Sequence, residues 1–213
     1  MEFLVSILIG YLIGSFPTAY ILLKKFKSID ITQNGSGNVG ALNSLKVSKS
    51  KSIGVVVLLI DLLKGLLAVY LVKLFIADNF LLAALALIAA VFAHCFNPWL
   101  KFKGGRGLAT AAGGAILLSP PVLGLWLLLW LIAFIFKRHV HFANFSATLL
   151  TAALAFSSAK ILNYYSTPPA IDNLEFSISI TILLTIILVR HIQPITDYIK
   201  NWKKSKGTEN EKS

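Results

Sequence analysis

The sequence predicts an all-α integral membrane protein of about seven transmembrane helices, N-terminus outside and C-terminus cytoplasmic. Three observations predict it. The 213 residues are 56% hydrophobic and only 14% charged, with a mean hydropathy of +0.76, whereas an average soluble domain is about a quarter charged. The apolar residues come in runs about as long as a bilayer requires. The cations are sorted onto alternate loops between those runs, as the positive-inside rule demands.

The first run, Phe3–Leu23, has Glu2 rather than cations before it, and its roughly 20 residues exceed a signal-peptide core, so it reads as a spanning helix. The second, Ile53–Ile76, carries Asp61 and Lys64, which share a helix face at this spacing and read as a structural ion pair more than a reacting one. Phe80–Phe96 is the third. The fourth, Leu108–Leu118, is short, holds Gly113-Gly114 and reads as a half-span that needs protein or water around its backbone. Pro120-Pro121 turns the chain into Val122–Phe136, followed by Phe145–Ala159 and Phe176–Val189. A five-span variant, with the fourth and fifth runs as a re-entrant hairpin, keeps the same loops inside. Residues 1–199 form one membrane domain and residues 200–213 a polar cytoplasmic tail.

The net charge of +11 does not point to nucleic acid. Of the twenty Lys and Arg, all but Lys64, Lys73 and Lys160 fall in the first, third and fifth loops or after the last run, while Glu2, Asp78, Asp172 and Glu175 mark the other side. The single cysteine, Cys95, excludes an internal disulfide. His139 and His141 lack nearby acidic or thiol partners, so no metal and no cofactor are expected.

Two loops carry chemistry. The first, 30–43, holds Gly35, Gly37 and Gly40 among Ser36, Asn38 and Asn43. It is either a flexible linker or an anion nest of inward-turned N–H groups; the asparagines, with fixed donors and acceptors, favour the nest. The second reads Lys101-Phe-Lys-Gly-Gly-Arg-Gly107 and runs into the fourth helix. Cations, glycines and a helix N-terminus suit phosphate, although Trp99, Phe102 and the lysines also suit lipid headgroups. The loops predict a phosphate-bearing ligand; they do not by themselves specify an enzyme.

Gly35-Ser-Gly-Asn-Val-Gly-Ala-Leu-Asn43, Asp61-Leu-Leu-Lys-Gly65, then His94 and Lys101-Phe-Lys-Gly-Gly-Arg-Gly-Leu-Ala-Thr110 occur in that order. The chain thereby resembles the bacterial acyl-phosphate:glycerol-3-phosphate acyltransferases, the PlsY family, over nearly its whole length. The resemblance implies transfer of a fatty acyl group from acyl phosphate to the sn-1 hydroxyl of glycerol 3-phosphate, giving lysophosphatidic acid and phosphate. It implies a monomer in the bacterial inner membrane, in contact with lipid, with its site facing the cytoplasm. By the same resemblance Ser36, Asn38, Asn43 and His94 are catalytic, and Lys46, Lys103, Gly104, Gly105, Arg106 and His191 hold substrate phosphate. Lys46 stands where the family usually has arginine, and Arg106 where it usually has lysine. The family's third loop usually carries Ser-x-x-Ser where this chain has His141 and Asn144. Pro194 and Asp197 replace the usual Asn and Arg of the C-terminal motif, and Thr32 an arginine after Asp30. The alternative is a non-catalytic or altered-acceptor relative, or a transporter of a phosphorylated or lipid substrate. A transporter would keep its polar groups near the bilayer midplane.

Overall fold

A computed structural model describes residues 1–210, with side chains up to 202. The described residues form ten α-helices and one short 3-10 turn. Six candidate spans are long and apolar enough to cross a membrane, and a seventh apolar helix is shorter.

The first span, Glu2–Lys27, is two helices, α1 (Glu2–Gly14) and α2 (Thr18–Lys27). Pro17 has no N–H to continue the ladder, and the carbonyls freed at the break need partners inside the membrane. The Phe16 carbonyl accepts from Lys64 Nζ at 2.7 Å, and the Ser15 carbonyl from Asn97 Nδ2 at 2.6 Å. After a loop and the short α3 (Ala41–Ser48), α4 (Lys51–Phe75) starts at a Ser50 cap whose side chain accepts from the Ile53 N–H. α5 (Phe80–Cys95) is the most buried span and packs against α1, α4 and α6 and the C-terminal helix. Small residues allow this approach: a Cβ on Gly10 or Gly14 would overlap the carbonyl of Ala86 or Ala90.

Asp61 and Lys64 are buried on α4, with Nζ and Oδ1 2.7 Å apart. The pair is structural: Lys64 also closes the break in the first span, and neither residue lines the cavity formed by the basic loops. Lys64→Met is expected to destabilise the fold by roughly 3–5 kcal/mol, the cost of stranding a buried carboxylate. Thermal unfolding in detergent measures this, and Asp61→Asn in the same chain should recover part of the loss.

α6 (Leu108–Leu118) has 11 residues; at about 1.5 Å per residue it reaches about 16 Å, short of a ~30 Å hydrocarbon core. The fourth run, expected as a half-span, is a short apolar helix. It passes through Ser119 into α7 (Pro120–Lys137). Arg106, just before α6, and His139, just after α7, line the same cavity, so the two helices leave one face and return to it. α7 shows most of its surface to the surroundings, while Trp126 and Trp130 bond to the next helix. Their indole N–H groups donate to Thr148 Oγ1 at 3.0 Å and Asn144 Oδ1 at 2.6 Å. Both acceptors belong to α8 (Val140–Ser157), which begins five residues before the expected run.

The short α9 (Ala159–Tyr164) leads to α10 (Asn173–Asn210). The hydropathy run ends at Val189, yet the candidate span extends to Trp202 and the helix into the polar tail. Residues 211–213 of that tail lie outside the described residues. The loop before α3, the glycine loop before α6, the start of α8 and the far part of α10 all line one cavity. The four basic segments therefore lie on one side of the helix bundle.

Candidate functional site

The first loop is built by local hydrogen bonds. Ser28, with φ 55°, ends α2 in the left-handed region. Asp30 Oδ1 accepts from the N–H of Thr32 at 2.9 Å and its hydroxyl at 2.7 Å. The hydroxyl bond, then the N–H bond, hold that carboxyl below the usual range. Asn43, buried on α3, staples the rest. Its Nδ2 donates to the carbonyls of Asn34 and Asn38, each at 3.0 Å, and its Oδ1 accepts from the Ser36 N–H at 3.1 Å. With both ends of its amide engaged, Asn43 shapes the loop that presents Ser36 and Asn38.

The second loop is tied to the first and to α10. The Val39 N–H donates to the Gly104 carbonyl at 3.2 Å. Arg190 donates to the carbonyls of Gly104 and Gly105, both at 3.1 Å, and its guanidinium lies 5.4 Å from the centre of the Phe96 ring. Arg190 fixes the glycine loop from the neighbouring helix.

These segments enclose a cavity of about 820 Å³ and an adjoining lobe of about 360 Å³. Gly35, Ser36, Asn38, Arg106 and His141 line both. Lys103 lines the larger cavity; Asn43 and Lys46 line the smaller lobe. Six of the ten residues expected from sequence thus converge. His94, Gly104, Gly105 and His191 line neither space. His94 is buried beneath the glycine pair, 3.8 Å from Asp61, and its carbonyl takes the Gly105 N–H at 3.0 Å, so that N–H is not turned to a ligand. His191 is fully buried: Nδ1 donates to the Ile187 carbonyl at 2.8 Å, and Nε2 faces Asn144 Nδ2 at 3.4 Å.

The sequence reading missed a stripe on α10. Arg190, Gln193, Asp197, Tyr198 and Asn201 all line the larger cavity. Arg190, Gln193, Asp197 and Asn201 follow one another at three and four, with Tyr198 beside Asp197, so they cover one broad helix face, a pattern visible in sequence once the helix is extended past Val189. His139 joins them, its ring stacked on Tyr198 at 4.0 Å. Burial, then the charge of Lys46, lowers the pKa of His139.

The charge balance calls for an anion. Among the described residues, no ion pair involves Lys46, Lys103, Arg106 or Arg190. Arg106 is half-buried, and burial followed by the nearby Arg190 lowers its pKa. A partly desolvated cation without a carboxylate favours an anionic ligand. Asn38 Oδ1 is buried with no hydrogen-bond partner among the described residues, an acceptor left for a donor from a ligand.

The family model described as glycerol-3-phosphate acyltransferase matches residues 4–201. A glycerol-3-phosphate acyltransferase of Helicobacter acinonychis is 42% identical over 129 residues, 58% of each chain. The aligned stretch thus spans little more than half of that curated relative. Glycerol-3-phosphate acyltransferase 2 of Moorella thermoacetica is 38% identical over 71% of this chain and 76% of its own. A crystal structure of PlsY, an integral membrane glycerol 3-phosphate acyltransferase in its glycerol 3-phosphate form, superposes with a TM-score of 0.76 at 28% identity, over 94% of both chains. The lysophosphatidic acid form gives 0.75 at 27% identity, over 94% of this chain and 93% of the other.

Proposed function

The chain belongs to the glycerol-3-phosphate acyltransferase family, and on that premise we propose that it transfers a fatty acyl group from acyl phosphate to the sn-1 hydroxyl of glycerol 3-phosphate. The observation that carries the reading is the two-lobed cavity with Arg106 lining both lobes and, among the described residues, no carboxylate paired to its cations. Two phosphate-bearing substrates need two cationic compartments that share a reacting zone. An apolar groove of about 80 Å³, lined by Leu108, Ala111, Val122, Trp126, Leu184 and Ile187, supports a lipid tail on one of them. It starts two residues after Arg106 and ends one helical turn before Arg190.

In this mechanism the sn-1 oxygen attacks the acyl carbon. The new ester bond forms as the bond from that carbon to the phosphate oxygen breaks, and the hydroxyl proton passes to a substrate phosphate. Asn38 Oδ1 accepts from the hydroxyl and orients it, with Ser36 beside it. Lys103 and Arg106 hold phosphate and stabilise charge on the leaving group; Lys46 holds phosphate in the smaller lobe. Acyl phosphate is already activated, so positioning and charge suffice without a protein nucleophile. Asn43, His94, Gly104, Gly105 and His191 act from behind, by shaping the walls. The cation-rich face is cytoplasmic and the N-terminus is on the opposite side. The protein works as a monomer in the bacterial inner membrane.

Purified protein given acyl phosphate should release phosphate only when glycerol 3-phosphate is present, with lysophosphatidic acid formed in equal amount. Release independent of glycerol 3-phosphate, or none, would reject this acceptor.

A further inference from the structure

We infer that His141 is a positioning residue that sets the guanidinium of Arg106 where the two lobes of the cavity meet; the inference rests on the acyl-transfer reading. His141 stands in the first turn of α8, and Arg106 in the loop before α6. Both line both lobes. His141 Nδ1 lies 3.2 Å from Arg106 Nη1. A guanidinium only donates, so Nδ1 accepts, and the neutral ring carries its proton on Nε2.

That bond matters because of what else surrounds Arg106. Among the described residues no ion pair involves it, and its charged neighbour Arg190 is a cation already bonded to the glycine carbonyls. A long side chain repelled by its neighbour and unpaired would sample many rotamers. A substrate phosphate would then have to order it. The His141 bond orders it beforehand, with one nitrogen held and the remaining donors left to reach phosphate from either lobe. Preorganised donors are the ones that favour a transition state. The bond also ties the glycine loop to α8.

Steady-state kinetics of the full chain in detergent test this with His141→Leu, His141→Gln, Arg106→Ala and the Arg106→Ala/His141→Leu double variant. The leucine side chain fills space but cannot accept; kcat/KM should fall about tenfold. The glutamine Oε1 can accept from the guanidinium and should keep activity within about threefold of wild type. In the Arg106→Ala background, His141→Leu should cost nothing further, because the residue acts through Arg106. Wild-type rates in the leucine variant, glutamine no better than leucine, or the full leucine loss repeated without Arg106 would each overturn the inference. The same four variants, titrated with inorganic phosphate, give the cycle in Kd. A wild type that binds phosphate but forms no lysophosphatidic acid would overturn the acyl-transfer reading alone, and the Kd cycle would still decide the role of His141.

Discussion

Arg106→Ala is expected to lower the proposed acyl transfer at least about a hundredfold, roughly 2.7 kcal/mol of barrier, in a chain that still inserts and purifies. Arg106 is on both walls of the two-lobed cavity and has no ion-pair partner among the described residues. Its charge is half-buried, and electrostatic attraction is stronger where water is partly excluded. Negative charge grows on the departing phosphate as its bond to the acyl carbon breaks. A cation already in place therefore binds the transition state more tightly than the ground state, and the loss should fall on kcat as well as KM. Arg106→Lys keeps the charge but loses the planar fork, and should stay within about tenfold of wild type. An alanine variant with wild-type kcat would remove Arg106 from the reacting zone.

The sequence made the spans legible because a bilayer imposes a length on apolar runs, and the second to fifth runs match helices to within two residues, whereas the first is broken before Thr18. It brought Ser36, Asn38, Lys46, Lys103 and Arg106 forward as candidates because cations, glycines and asparagines in short loops suit an anion, and all five line the cavity or its lobe. Helix facing was not legible from motif membership. Arg190 and His191 are adjacent, but successive helical residues point about 100° apart. Arg190 reaches the glycine loop, and His191 turns into the core beside Ile187 and Asn144. The far part of α10 was hidden for another reason. Its polar face lowers the average hydropathy, so a run that measures apolar content stops at Val189 although the helix continues. The sequence offers the glycine pair as N–H donors for phosphate. In the fold its carbonyls are bound by Arg190 and the Gly105 N–H by His94, contacts between distant segments that no local pattern encodes.

Those contacts make Gly105→Ala the second most damaging single change expected. A Cβ at Gly105 would overlap Nε2 of the His94 ring, and the ring has little room to retreat. His94 is 7% exposed, on the most buried span, and its other nitrogen is 3.8 Å from Asp61. The loop must therefore lift, which pulls its carbonyls from Arg190 and displaces Arg106 one residue on. A displacement of about 1 Å at a positioned group is enough for roughly a hundredfold loss of rate. The cause can be separated from a catalytic role for His94. If His94 is a support beneath the loop, His94→Ala opens the space that the new methyl needs, and the Gly105→Ala/His94→Ala double variant should be more active than Gly105→Ala alone. A histidine that exchanges protons with substrate predicts the reverse, because the double variant would then lack both loop geometry and reacting group. Comparing initial rates of the two single variants and the double therefore decides between support and chemistry at His94.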